Sequence, residues 1–187
     1  EVKEKVYYID NLKHGKNTNY FINGEIDSEL FFIEGDIVME GNHIFTYYPT
    51  GEIRIKKMIF DGVAQGEEIF FLKTGEVDQR FNYLDGLRQG EGISYYKTGK
   101  VEEVYNYEDG LKQGEYIRYH ETGEVDFTIN YIDGLRQGEV IVYYETGEVD
   151  RRYNYEDDLV QGELFSYYKT GEVHRRYNYE DGLIQGE

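Results

Sequence analysis

The stretch YYKTGKVEEVYNYEDGLKQGE, Tyr95 to Glu115, decides the fold. Two runs rich in Tyr, Val and Ile flank Thr98-Gly99, the pattern of a β-hairpin whose glycine takes the turn position with positive φ. The second run, Val101 to Tyr107, ends at Asp109-Gly110, a further turn signal, and Gln113-Gly114 then redirects the chain into the next unit. One unit is therefore one hairpin.

Outward from this stretch the same unit recurs. The glycine of the Thr-Gly pair stands at Gly51, Gly75, Gly99, Gly123, Gly147 and Gly171, and that of the Gln-Gly pair at Gly66, Gly90, Gly114, Gly138, Gly162 and Gly186, so both series step by 24 residues. GEVHRRYNYEDGLIQGE (171–187) repeats GEVDRRYNYEDDLVQGE (147–163) with three differences. A fixed period of this length means stacked supersecondary units. In the sixth unit Asp158 replaces the turn glycine, and Asp is among the few residues that tolerate positive φ. A helix of average length would carry interior glycines costing about 1 kcal/mol each, so the reading is all β.

Parity along the second strand gives the sheet two unlike faces. Val101, Tyr105 and Tyr107 share one side, as do Val149, Tyr153 and Tyr155, and Val173, Tyr177 and Tyr179, while Asn106, Asn154 and Asn178 point the other way. One face is an aromatic and aliphatic ladder. The other, with Asp150, Arg152 and Asn154, reads as a solvated face of alternating charge that pairs along and across strands. In the first strand Tyr143 and Tyr144 lie on opposite faces, and which one joins the ladder depends on whether the turn holds two, three or four residues. The fold class expected is an elongated single-layer antiparallel meander of tandem hairpins with about 15 strands, on the order of 70 Å long if continuous at roughly 4.8 Å per strand.

The first part of the chain departs from the pattern. His14-Gly15 and Asn23-Gly24 replace Gln-Gly and Thr-Gly, and Gly24 to Gly51 spans 27 residues, the extra length falling in segment 34–44 (EGDIVMEGNHI). Residues 1–50 therefore read as divergent repeats forming a cap, with a binding loop the competing reading, and residues 51–187 as regular repeats continuous with them in one repeat domain.

Composition narrows the partners. With 20 Lys+Arg against 38 Asp+Glu the formal charge is −18, a field that repels phosphate and anionic lipid and so disfavours nucleic acid and anionic membranes. No stretch approaches the roughly 20 apolar residues of a membrane-spanning helix. The absence of cysteine excludes disulfides and thiol chemistry and leaves the compartment open. The chain begins at Glu1 with no initiator Met, which fits a trimmed signal peptide or an excised fragment; the expected location is secreted or at a cell surface, with the cytoplasm as the alternative.

Catalytic signatures are missing: there is no G-x-S-x-G, Walker or dinucleotide fingerprint. The acids follow the repeat, with Asp85, Asp109, Asp133, Asp157 and Asp181 in one register and Glu91, Glu115, Glu139, Glu163 and Glu187 in another, which fits turn-capping and solubility. Ca²⁺ held by stacked acidic turns is the sharper alternative, but the EF-hand and nonapeptide calcium patterns are absent. His14, His43, His120 and His174 fall in different registers, which argues against a zinc cluster. No enzyme activity, cofactor or metal is expected.

The unit has paired aromatics before a turn glycine, a second aromatic strand, then Asp-Gly-Leu-x-Gln-Gly-Glu, with Gly-x-x-x-Gly spacing at Gly86–Gly90, Gly110–Gly114, Gly134–Gly138 and Gly182–Gly186. It resembles the MORN repeat, most closely its bacterial variant, over nearly the whole chain from about Tyr7 in some seven units. It departs by running 24 residues instead of the usual 23 and by reading Tyr-Asn-Tyr in place of Tyr-x-Gly-x-Trp. The resemblance implies a single-layered sheet, one hairpin per repeat, with an aromatic groove for partners. It implies a scaffold, a dimerisation module or a peptide or protein binder, some bacterial members carrying an antitoxin label. Lipid binding, proposed for eukaryotic members, is disfavoured by the charge. In some eukaryotic proteins the repeats precede methyltransferase or lipid-kinase domains.

The leading expectation is a non-enzymatic scaffold, exported or surface-associated in a bacterium, that binds a protein or peptide along the aromatic face. The residues expected to carry it are Tyr83, Tyr107, Tyr131, Tyr155 and Tyr179, with Phe81, Tyr105, Tyr153 and Tyr177 beside them. Stacked aromatics offer rigid contact area, although the same rings can serve only to hold a one-layer sheet together. The alternatives are self-association into a homo-oligomer through an open sheet edge, and a regulatory segment of a larger protein.

Overall fold

Every regular element among the described residues of this computed structural model is an antiparallel β-strand. The structure describes residues 36–185 continuously, together with strands Lys3–Lys5, Tyr8–Ile9, Leu12–Lys13, Gly15–Tyr20 and Ile26–Ile33, and describes side chains from His43 to Gln185. The MORN-like meander of hairpins read from the sequence is what is observed. His14 and Gly24, two of the residues that mark the divergent first units, lie outside the described residues. The extra length falls in strand Asp36–Tyr47, which has 12 residues where the corresponding strand Val63–Phe71 has 9. Two units are distinguished, Glu1–Arg88 and Gln89–Glu187.

In the second unit the strands follow in chain order: Gly90–Tyr95, Val101–Glu108, Leu111–Lys112 continuing as Gly114–Tyr119, Val125–Ile132, Leu135–Tyr143, Val149–Glu156, Leu159–Tyr167, Val173–Glu180 and Leu183–Gln185. Each pairs with its neighbour in sequence. The first unit repeats the pattern through Ile53–Phe60, Val63–Phe71 and Val77–Leu84.

Two kinds of turn build each hairpin. At the Thr-Gly end, Gly99 N–H donates to the Tyr96 carbonyl at 2.8 Å and Tyr96 N–H to the Lys100 carbonyl at 2.8 Å, with Gly99 at φ +79°. That is a three-residue loop, Lys97-Thr98-Gly99, closed by a bulge that only glycine adopts without strain. The turn length is thereby settled at three. At the other end, Asp133 (φ +50°) and Gly134 (φ +84°) are both left-handed, the two-residue turn whose twist matches that of the strands. Asp takes the first position in every such turn from Asp61 to Asp181. Asp158, where the other turns have glycine, also holds positive φ, at 68°.

A one-layer sheet has nothing behind it, and side chains tie hairpins to their successors, at the three-residue turn wherever its register holds Tyr48, Tyr96, His120 or Tyr144 and at the two-residue turn through Gln. At the three-residue turn, the second aromatic of a pair reaches forward by 23 residues: Tyr96 Oη donates to the Tyr119 carbonyl at 2.6 Å and Tyr144 Oη to the Tyr167 carbonyl at 2.7 Å. His120 fills the same place, its Nε2–H donating to the Tyr143 carbonyl at 3.0 Å, and in the first unit Tyr48 Oη reaches the Phe71 carbonyl at 2.8 Å. At the two-residue turn, the Gln of Gln-Gly reaches the Asp of the following turn 20 residues on. Asp133 N–H donates to Gln113 Oε1 at 2.7 Å, and Gln161 and Asp181 bond reciprocally at 2.8 and 3.1 Å. The second turn residue adds a backbone tie, Gly134 N–H to the Lys112 carbonyl at 2.9 Å and Asp158 N–H to the Arg136 carbonyl at 3.1 Å.

Replacing Tyr144 by Phe removes one such tie and keeps the ring. It is expected to lower stability, because one hydrogen bond between hairpins is lost while the ring stays in place. This is read as a lower urea midpoint at constant m-value; an unchanged midpoint would show that the tie contributes nothing over water.

Candidate functional site

The aromatic face contains two rows that differ in access. The inner row is the core: Phe81 is 4% exposed in the first unit, and in the second Tyr105 is 6% and Ile129 4% exposed, beside Tyr116 and Val140 of the neighbouring strands. Tyr105 stacks on Tyr116 at 5.9 Å between centroids, Tyr116 on Phe127 at 5.6 Å, and Phe70 meets Phe81 edge-on at 5.9 Å. In the last two units the difference fades: Tyr153 and Tyr177, in the same register, are half-exposed like Tyr155 and Tyr179. The outer row, Tyr83 in the first unit and Tyr107, Tyr131, Tyr155 and Tyr179 in the second, is half-exposed throughout. Of the ladder residues read from the sequence, Phe81 and Tyr105 thus lie within the core, and the outer tyrosines are half-exposed.

The register after the turns at Asp85, Asp109 and Asp133 lays a cation over these rings. Arg88 sits 3.9 Å from the Phe81 centroid and its Nε–H donates to Tyr83 Oη at 3.2 Å. Lys112 lies between Tyr105, Tyr116 and Tyr131, at 5.1, 4.8 and 5.1 Å from their centroids. Arg136 lies 4.2 Å from the Tyr155 centroid and donates to its hydroxyl at 2.8 Å, while Asp158 Oδ1 accepts from Arg136 Nε at 2.7 Å and from its backbone N–H at 2.9 Å. The residue that departs from the turn consensus is therefore the one that holds this guanidinium in place. In the next two units the cation register holds Val160 and Ile184. Sequence reading missed these cations because their aim depends on the twist between strands.

The opposite face is more apolar than its second strand suggests. Ile93 (8% exposed) pairs with Val104, Val104 with Ile117, Ile141 with Arg152, and Phe165 with Arg152 and Arg176. The solvated, charged face expected from Asp150, Arg152 and Asn154 is corrected accordingly: first strands contribute an aliphatic and aromatic stripe between the charged second strands. The cross-strand pairing of charges does occur, with Glu139–Arg152 at 3.4 Å, Glu67–Arg80 at 4.0 Å and Glu163 against Arg176. A hollow of about 450 Å³ opens there over Phe165, lined by Glu139, Arg152, Asn154, Gln161 and Glu163. The turn aspartates face the Gln amides of the preceding repeat, and among the described residues no cluster of acids and histidines is placed to hold a metal.

The fold is that of a tandem β-hairpin repeat protein. Residues 88–109, 112–133 and 136–157 each match the family described as MORN repeat variant, three consecutive matches at the 24-residue period. No curated protein matches the chain. Among solved structures, the GtfA/B complex bound to UDP and GlcNAc matches at 13% identity and TM-score 0.21, over 80% of this chain and 28% of that one. A protein of unknown function from Bacteroides fragilis NCTC 9343 matches at 8% identity and TM-score 0.13, over 97% of this chain and 94% of that one.

Burial raises the phenol pKa of Tyr83, Tyr116, Tyr131 and Tyr153 above the ordinary 10.0, most strongly at Tyr116, where Glu103 adds to the shift. An acid whose folded pKa is raised stabilises the fold fully below its unfolded value, and that stability is lost as pH climbs from about 10 towards the folded value. The protein is therefore expected to keep these phenols neutral past pH 10 and then to unfold as they ionise together. Tyr116→Phe should shift the alkaline unfolding midpoint upward relative to neutral stability. Phenolate absorbance against pH, followed beside circular dichroism, checks it: gradual ionisation with the fold intact contradicts the coupling.

Proposed function

We propose that this protein is a non-enzymatic scaffold that holds a protein or peptide partner along its aromatic face. The observation that carries the reading is the division of that face: the inner row closes the core at Phe81, Tyr105 and Ile129, while the outer row presents a half-exposed tyrosine in constant register from Tyr83 to Tyr179. Successive outer tyrosines are two strands apart, roughly 9.6 Å. A tyrosine gives a large amphipathic contact at low entropy cost, and repetition at fixed pitch suits an extended ligand. The alternation within the repeat argues the same way, because residues repeated in one register make an extended surface and not a unique reaction centre. A location outside the cell or at its surface is part of the proposal.

The double variant Tyr131→Ser, Tyr155→Ser removes two neighbouring outer rings and leaves the inner core in place. Capture of a partner from an extract of the native host is expected to fall at least about tenfold, as loss of central aromatic anchors does at other interfaces. Circular dichroism and the urea midpoint report whether the sheet persists. Full capture by a folded double variant sinks the reading.

A further inference from the structure

The edge of the sheet formed by the two-residue turns carries a second surface, on the side away from the outer tyrosines. In the second unit Leu111, Leu135 and Leu159 follow their turns directly and are 51%, 40% and 44% exposed, and Ile132, paired across the turn with Leu135, is 49% exposed. Leu111 pairs with Glu108, which alternation places on the face opposite Tyr107. Leu111 also leans on the following turn: a Cβ built on Gly134 would meet its Cδ2 at 3.5 Å, and one on Gly182 would meet Leu159 Cδ2 at 3.5 Å. The side chains thus form a row bridging from turn to turn. An aligned row of exposed leucines is a feature that soluble surfaces keep for contacts.

The charge around the row is one-sided. Glu108, Asp109, Asp133, Glu156 and Asp157 flank the leucines and are exposed. The cations of this edge, Lys112 and Arg136, pair with Tyr107 and Tyr131 and so belong to the aromatic side, where they lie on the rings. Acids outnumber Lys and Arg 22 to 10 over residues 89–187. A partner must therefore bring apolar side chains to the leucines and positive charge to their flanks. Spacing selects its form. Leucines two strands apart recur at roughly 9.6 Å, and an α-helix repeats a side chain every seventh residue at roughly 10.5 Å.

We infer that this turn edge docks a basic amphipathic helix of a partner protein, its heptad-spaced apolar residues on Leu111, Leu135 and Leu159 and its Lys or Arg residues against Glu108, Asp109, Asp133, Glu156 and Asp157. The surface lies across the sheet from the tyrosine row, so the two can be occupied or lost separately.

The probe is a fluorescent synthetic helical peptide of three heptads, leucine at one heptad position and lysine at the flanking ones, titrated with the full chain by anisotropy. Saturable binding is expected, weakening as salt is raised. The triple variant Leu111→Ser, Leu135→Ser, Leu159→Ser should weaken it at least about tenfold, on the scale of losing central apolar contacts. These leucines are exposed, so the sheet should persist by circular dichroism. As a second variant, Asp109→Asn with Asp133→Asn and Asp157→Asn should weaken binding and flatten its salt dependence. The variant Tyr131→Ser, Tyr155→Ser should bind the peptide as the unaltered chain does, which separates this surface from the aromatic face. Equal binding by the leucine variant would reduce the effect to charge adsorption and overturn the inference. So would equal binding of a peptide with glutamate in place of lysine, or no saturable binding to the unaltered chain.

Discussion

Each hairpin in this sheet lacks a layer behind it, and everything else follows from how that lack is met. A two-stranded hairpin alone is marginal in water. Here the backbone ladder between hairpins is reinforced at both ends by side chains that reach a whole repeat ahead, phenol to carbonyl at one end and Gln amide to Asp at the other. Because the ties run between like positions of successive units, they demand a fixed period. The 24-residue repeat thus keeps these ties in register, although Leu72, which stands in the tyrosine register, has no side-chain donor to make one. His120 shows the tolerance: it stands in a tyrosine register and makes the same bond with an imidazole N–H.

The same lack of a second layer shapes the aromatic face. Side chains on one face must cover each other, and large rings in adjacent strands do so by stacking across the ladder, as Tyr105, Tyr116 and Phe127 do. The next row outward has rings on one side only. Arg88, Lys112 and Arg136 supply part of the missing cover, and they do it with groups that an aromatic face attracts while their charge stays near water. Asp158 belongs to this arrangement. Its left-handed backbone carries strain that glycine would not, and its carboxylate, its pKa lowered by hydrogen bonds from Arg136, anchors the guanidinium on Tyr155.

How much of this was legible turns on the register between the two strands of each hairpin. Glycine spacing fixes the hairpins, and parity within Val149–Tyr155 assigns Tyr153 and Tyr155 to a common face without any structure. The first strand is different, because Thr-Gly is compatible with loops of two, three or four residues and each choice flips every side chain before it. With that number unknown, Ile93, Ile117, Ile141 and Phe165 had no face, so the charged second strand alone characterised the side opposite the ladder. The loop holds three residues and pairs Tyr95 with Val101, and a bulge directly after it shifts the register by one, so that Ile93 meets Val104 and Ile141 meets Arg152; loop and bulge together place the aliphatic stripe opposite the ladder.

The turn-edge leucines were present in the Asp-Gly-Leu motif, yet a motif gives register and not exposure. Leucine directly after a tight turn can fold over its own hairpin or project beyond it. Here the following turn lies close enough to take one side of Leu111 and Leu159, which leaves the other to solvent. That geometry explains why leucine recurs in a place where a polar residue would solvate better: it seals the joint between turns. A residue kept for sealing is also aligned by it, at the pitch the hydrogen-bond ladder imposes. An apolar row at constant spacing, bordered by carboxylates whose nearest cations are committed to the other face, acquires a preference for basic amphipathic partners from the same constraint that makes the sheet stand as one layer.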